Sequence, residues 1–247
     1  MSQITLQIKT QDGSAPSHFF QPQGQGPWPA VIFYMDAFGP RPDLFQMADR
    51  LASNGYCVLL PDLFYRTGPY APFTPATAFN DPVERQRLMK HYGALTNRLV
   101  MSDTAAFLDF LANHPNAKKE TGCVGYCMGG PLSLSAAGTF PDRVLAAASF
   151  HGARLATDKP DSPHLLAPKM RGEIYVGIAG LDDHFPPEEK VRLESALAAA
   201  HVRHTVEVYD GAKHGFAVNG VPAYDRTAAE KHWKRLLDLF ERNLQKN

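Results

Sequence analysis

The sequence predicts an α/β fold, a mostly parallel central sheet flanked by helices on both faces, on three observations. Continuous apolar runs of strand length recur at residues 30–35, 56–60 and 144–150, and a run without alternation marks a strand covered on both faces. Helical periodicity separates these runs, as at Leu44, Met47, Ala48 and Leu51, and this alternation implies parallel strands joined by helices. Polar and glycine-rich residues follow the strand ends, where open parallel sheets bind ligands.

The elements are expected in this order. Residues 4–8 alternate apolar and polar and predict a half-exposed strand. Asp12-Gly13 marks a turn, and residues 17–20 return as a second strand. The Gly, Pro and Gln of residues 21–29 form a surface loop. The strand at 30–35 ends in Asp36-Ala37-Phe38-Gly39, and the helix after it stops at Asn54-Gly55. After the strand at 56–60, residues 64–82 break the rhythm with prolines and the aromatics Tyr65, Tyr70, Phe73 and Phe79. A loop of that length and content is expected to be an ordered cover over a pocket. One helix then carries Glu84-Arg85-Gln86-Arg87. A second, capped by Ser102 or Asp103, places Phe107, Phe110 and Leu111 on one face and ends at Asn113-His114-Pro115. Residues 121–124 are a short strand, 154–171 a loop and 173–179 a strand. Leu193, Leu197 and Ala200 mark a helix face, residues 205–209 a strand nearer the sheet edge, and 223–244 a final helix.

The 247 residues suffice for one domain spanning 1–247 with its own core. Lys plus Arg number 25, as do Asp plus Glu, for a net charge of +0. That balance gives no reason to expect nucleic acid or an anionic membrane as partner. No apolar run approaches the ~20 residues of a membrane span. Met1-Ser2-Gln3-Ile4-Thr5 carries neither the basic region nor the apolar core of a signal peptide. The expectation is a cytoplasmic protein, monomer or homodimer. The three cysteines, Cys57, Cys123 and Cys127, are too few and odd in number for a disulfide framework. At roughly 3.3 Å per strand residue, Cys123 and Cys127 should lie too far apart to bridge. Cys57 and Cys123 sit in apolar strands and are expected in the core.

Gly125-Tyr126-Cys127-Met128-Gly129-Gly130 joins a strand to a helix through glycines. That is the nucleophile-elbow pattern, with cysteine where serine is usual. The glycines allow close approach of strand and helix around a strained apex, and the helix N-terminus favours a thiolate there. Taken alone, the same stretch equally fits a small core cysteine. Later strand ends add Asp182 or Asp183 and then His214, in the order nucleophile, acid, histidine of the α/β-hydrolase triad.

With Gly125-Tyr126-Cys127-Met128-Gly129-Gly130, Gly180-Leu181-Asp182-Asp183-His184-Phe185 and Gly211-Ala212-Lys213-His214-Gly215-Phe216, the chain resembles the dienelactone hydrolases (carboxymethylenebutenolidases) from residue 30 through the last helix. The resemblance implies an α/β-hydrolase fold, no cofactor, and hydrolysis of a small lactone or ester through an acyl-thioester. It implies Cys127 as nucleophile, His214 as proton carrier, and Asp183, immediately before His-Phe, as the acid, with Asp182 competing. Backbone N–H groups of Met128 and Ala37 would hold the oxyanion. Asp36 stands where the family carries a glutamate that meets the resting thiol; the alternative is that it caps the loop after its strand. Arg87, or Arg85 in a shifted register, resembles an arginine that binds the substrate carboxylate, against the alternative of a solvated helix face. Val218 stands where a second such arginine is found, so the substrate could be an uncharged lactone or ester, as for a general carboxylesterase.

His151 ends a strand near the elbow and is a candidate pocket-lining, substrate-binding residue. His184, beside Asp183, and His201 and His204, which flank a strand start with no carboxylate or cysteine at ligand spacing, are read as surface histidines, with no metal site. A thiol redox or sensor protein is the rival from another class, disfavoured by the lack of a resolving cysteine. A non-catalytic binding protein would need a broken triad, and the pattern is complete.

Overall fold

The computed structural model describes residues 2–245. β1 (Ser2–Thr10) and β2 (Gly13–Gln21) pair antiparallel about the Asp12-Gly13 turn. β3 (Trp28–Tyr34), β4 (Cys57–Pro61), β5 (Ala117–Tyr126), β6 (Val144–Phe150), β7 (Glu173–Leu181) and β8 (His204–Lys213) follow. The sheet runs β1-β2-β4-β3-β5-β6-β7-β8; β2 pairs antiparallel with β4, and the six strands from β4 to β8 are parallel. The chain is thus an α/β protein with a mostly parallel sheet. The apolar runs became its centre because both faces are covered: every residue of β4 is buried, and all of β3 after Trp28.

Successive residues of β3 show how the faces are divided, since neighbours on a strand point to opposite sides. Phe33 stacks on Tyr126 at 5.0 Å, and the Tyr126 hydroxyl meets His232 at 2.8 Å in α6 (Arg226–Leu244). The next residue, Tyr34, bonds Thr104 at 2.8 Å in α3 (Asn97–Asn113) on the other face. α3 packs there with α4 (Gly129–Thr139). α1 (Pro42–Ser53) joins α6 on the first face, where Arg50 bonds Glu230 and lies 4.5 Å over the Trp233 ring. α2 (Pro82–Gly93) and α5 (Pro187–Ala199) complete the helices. No helix among the described residues is long and apolar enough to cross a membrane.

Three expectations need correction. α3 begins at Asn97, not after Ser102 or Asp103, because Thr96 accepts the Leu99 N–H at 3.2 Å. Asp103 instead lies inside the helix, 0% exposed, bonded by Arg66 at 2.6 and 2.7 Å and by the Tyr65 hydroxyl at 2.9 Å. Residues 154–171 are not all loop: a 3-10 helix, Pro163–Lys169, buries Pro163, His164 and Ala167. The last helix starts at Arg226, where Asp225 accepts the Ala228 N–H at 2.9 Å.

The 64–82 segment opens with a 3-10 turn, Tyr65–Thr67, and packs on residues 36–39 and α2. Tyr70 lies against Phe64, Phe73 and His91, and Phe79 meets Phe38 edge-on at 5.5 Å. Arg66 ties this segment to α3 through buried Asp103 and to the hairpin through Asp12. Arg66→Met strands that buried carboxylate and is expected to cost about 3–5 kcal/mol in urea unfolding. Arg171→Ala, which removes an exposed partner of Asp142, should stay within about 0.5 kcal/mol.

Candidate active site

β5 delivers the chain to Cys127 and α4 carries it away. Cys127 has φ 51, a left-handed conformation unusual for a side-chain-bearing residue. Its N–H bonds the Phe150 carbonyl at 3.2 Å, and its carbonyl accepts from Gly130 at 3.0 Å. The turn closes this tightly only because of its glycines. A Cβ on Gly125 would lie 1.9 Å from the Gly129 carbonyl oxygen, and one on Gly129 would lie 2.4 Å from that of Tyr34. The elbow therefore rests directly on the end of β3. Cys127 is half-buried, whereas Cys57 and Cys123 are buried; all three are free thiols. Burial pushes the Cys57 thiol up to about 12.

His214 follows β8, and Cys127 is one of the groups that act electrostatically on its imidazole. Its Nδ1 lies 2.7 Å from Asp182 Oδ2. Burial works to lower the His214 pKa, but the bond to Asp182 and the negative charges of Asp182 and Cys127 outweigh it, and the value rises to about 10. Burial likewise works to raise the Asp182 carboxyl, and the bond and charge of His214 overcome it and hold it below the ordinary carboxylate range. The Asp182 side chain is 1% exposed, and its Oδ1 accepts the His184 N–H at 2.9 Å.

The aspartate that meets His214 is thus Asp182, where Asp183 was expected; Asp183 is exposed. The reason lies in strand register. β7 and β8 pair as Ala179↔Tyr209, then shift at an irregularity to Leu181↔Lys213. One residue further in the shifted register sets Asp182 opposite His214. A bulge of this kind re-aims side chains at a strand end, and residue spacing alone does not reveal it.

Asp36, expected near the thiol, points both oxygens at Arg41, at 2.6 and 2.7 Å. Its Oδ1 also accepts the Phe38 N–H at 3.0 Å, and no hydrogen bond joins it to Cys127. Ala37 and Met128 are buried, and neither backbone N–H has an acceptor among the described residues. Arg87 is half-buried, lies 4.5 Å over the Phe73 ring and bonds Glu84 at 2.9 Å. Arg85 is exposed on the same helix, and Val218 is buried.

His151 is 1% exposed, has φ 39, and packs edge-on to His214 at 5.3 Å and to Phe216 at 5.3 Å. Burial, then the charges of His214 and His232, push its pKa well below the ordinary histidine value, so it is neutral. Among the described residues neither ring nitrogen has a hydrogen-bond partner. His184, read as a surface residue, is exposed yet edge-on to His214 at 5.1 Å. Sequence reasoning missed Arg41; its only signal was a charge set between Pro40 and Pro42 just beyond a buried strand. Among the described residues no cluster of three or more His, Cys, Asp or Glu is arranged to hold a metal ion. Surface cavities of about 470 and 530 Å³ are lined by none of these residues.

The sequence model of the dienelactone hydrolase family matches residues 16–244. A Synechocystis sp. protein provisionally named carboxymethylenebutenolidase is 28% identical over 255 residues, covering 98% of this chain and 100% of the relative. The carboxymethylenebutenolidase of Pseudomonas putida is 26% identical over 236 residues, covering 95% of this chain and 94% of the relative. In fold, the chain is similar to a Klebsiella pneumoniae structure provisionally named dienelactone hydrolase. The TM-score is 0.84 at 23% identity, over 97% of this chain and 99% of that one.

The imidazole of His214 is expected to stay protonated until the pH approaches about 10 when followed by NMR. Because the folded value lies above the unfolded 6.5, the pair stabilises the fold in full below about pH 6.5, and that contribution is lost as the pH rises through about 10. Asp182→Asn should lower the titration by roughly 1–3 units. Asp183→Asn should leave it in place; the reverse pattern would return the role to Asp183.

Proposed function

The chain belongs to the dienelactone hydrolase family, and we propose that it is a cysteine hydrolase of a small lactone or ester, working through an acyl-thioester on Cys127. The observation that carries this reading is the imidazole of His214, bonded to Asp182 and acted on electrostatically by Cys127, with the sulfur at a left-handed elbow. Membership of the family makes the protein an ester or lactone hydrolase; the cysteine, its partners and the intermediate are our assignment.

In the reaction we assign, the resting pair is an imidazolium and a thiolate. The N-terminus of α4 beside the sulfur supports this. The thiolate attacks the carbonyl carbon, and the oxyanion is received by the unpartnered N–H groups of Met128 and Ala37. As the tetrahedral adduct collapses, the C–O bond to the leaving group breaks, and His214 gives that oxygen its proton. The now neutral imidazole takes a proton from water, whose oxygen attacks the thioester. The C–S bond breaks, the acid product leaves, and the imidazolium–thiolate pair is restored. Asp182 holds the His214 ring in one tautomer and stabilises its cation throughout. His151, neutral and packed on His214, would form part of the pocket wall.

Arg87 would be the substrate-binding cation, but Glu84 and the Phe73 ring already engage it, and Val218, where a second cation could stand, is an apolar, buried residue. Arg85 is the fallback in that role. These contacts favour a substrate with little or no carboxylate dependence, that is, a general lactone or ester.

Cys127→Ala is expected to abolish turnover of an aryl ester with circular dichroism unchanged; retained turnover defeats the thioester reading. Paired lactones and aryl esters with and without a carboxylate should differ in kcat/KM by less than about tenfold, since one partly compensated surface cation contributes little. Any carboxylate preference present should vanish in Arg87→Ala. A large preference that survives in that variant removes Arg87 from the site.

A further inference from the structure

The buried pair formed by Asp36 and Arg41 has a place in the chain that thiol activation does not explain. Asp36 is 2% exposed and Arg41 5%. The guanidinium grips the carboxylate with both terminal nitrogens, at 2.6 and 2.7 Å, the strongest geometry for such a pair. It also donates to the Gly39 carbonyl at 3.3 Å, lies 5.3 Å over the Phe38 ring, and has its Nε 3.3 Å from Asp43. Asp36 turns back on its own loop to accept the Phe38 N–H. The loop from Asp36 to Arg41 is thus closed by its own end residues, with Ala37 inside the closure.

The loop is held from outside as well. Gly39 has φ 80, and a Cβ there would lie 2.5 Å from the Tyr70 hydroxyl of the 64–82 segment. A Cβ on Gly220 would lie 2.5 Å from Asp43, so a second loop packs against Arg41's outer partner.

We propose that Asp36 and Arg41 are positioning residues that hold the Ala37 N–H at the oxyanion site, and that Asp36 does not act on the thiol. The proposal rests on the acyl-thioester reading above. A buried charge pair is costly to desolvate and is kept where its geometry is needed. Here it sets a backbone donor whose removal in comparable sites costs about 10²–10³ in rate.

Two reactions of the same sulfur separate the roles. Acylation of Cys127 by p-nitrophenyl acetate, followed in the first turnover, develops an oxyanion. Alkylation of Cys127 by iodoacetamide is a displacement at carbon that develops none. Asp36→Asn and Arg41→Met are expected to slow acylation by about 10²-fold, with the alkylation rate and its pH profile unchanged. Arg41→Lys, which keeps the charge but not the fork, should fall between them and the parent. Should either single variant fail to fold, Arg41→Lys and the double variant Asp36→Leu/Arg41→Met, which buries no charge, decide the matter by the same two rates. Acylation at the parental rate, or alkylation falling in step with acylation, overturns the proposal; the second result would return Asp36 to the thiol. A parent that is alkylated but never acylated defeats the hydrolase reading itself, and the positioning role with it.

Discussion

A single backbone conformation, the left-handed turn at Cys127, is the constraint on which the site depends. Side chains there crowd their own carbonyl, a cost that persists only when the surroundings impose it. They do so from three sides. The Phe150 carbonyl holds the Cys127 N–H, Gly125 lets α4 sit on β5, and Gly129 lets both sit on the end of β3. The consequence is a thiol lifted out of the core at a helix N-terminus. Cys57 and Cys123 show the contrast. They lie on β4 and β5, where burial raises their pKa and leaves them as small apolar side chains.

The electrostatics build outward from that thiol. His214 is largely out of water, which alone would keep it neutral, and it is charged because Asp182 bonds it and Cys127 acts on it electrostatically. Its fully buried neighbour His151 is neutral and adds no competing charge. Asp182 and His214 thus meet where the low local dielectric strengthens their attraction. The Asp36–Arg41 pair lies apart from them, its charges engaged with each other and with the loop they close. One acidic side chain at a strand end thus meets the histidine and the other turns to an arginine, although the two are similar as sequence features.

The sheet was legible in the chain because its strands are distinguished by local pattern. The 30–35, 56–60 and 144–150 runs lack alternation since both faces are covered, and β3, β4 and β6 lie within a residue or two of them. The elbow was legible for the same reason, since glycines at fixed spacing are a local backbone requirement. The start of α3 was not. Thr96 and Asp103 are both acceptable caps by residue type, and the choice fell to Arg66, 37 residues before Asp103, which claims Asp103 for a buried ion pair.

The sequence by itself determined which kinds of residue end which strands: a cysteine between glycines, then adjacent aspartates, then a histidine, on an alternating α/β frame. Those are properties of the chain taken a few residues at a time. Only the tertiary structure decided which aspartate meets the histidine and what Asp36 touches. Both are matters of register between separate segments. A shift between β7 and β8 sets Asp182 rather than Asp183 across from His214. A loop that folds back after β3 brings Arg41 onto Asp36. Side chains one residue apart differ little in local propensity, but at the end of a strand they point to different places, and the neighbouring strand fixes which one is used.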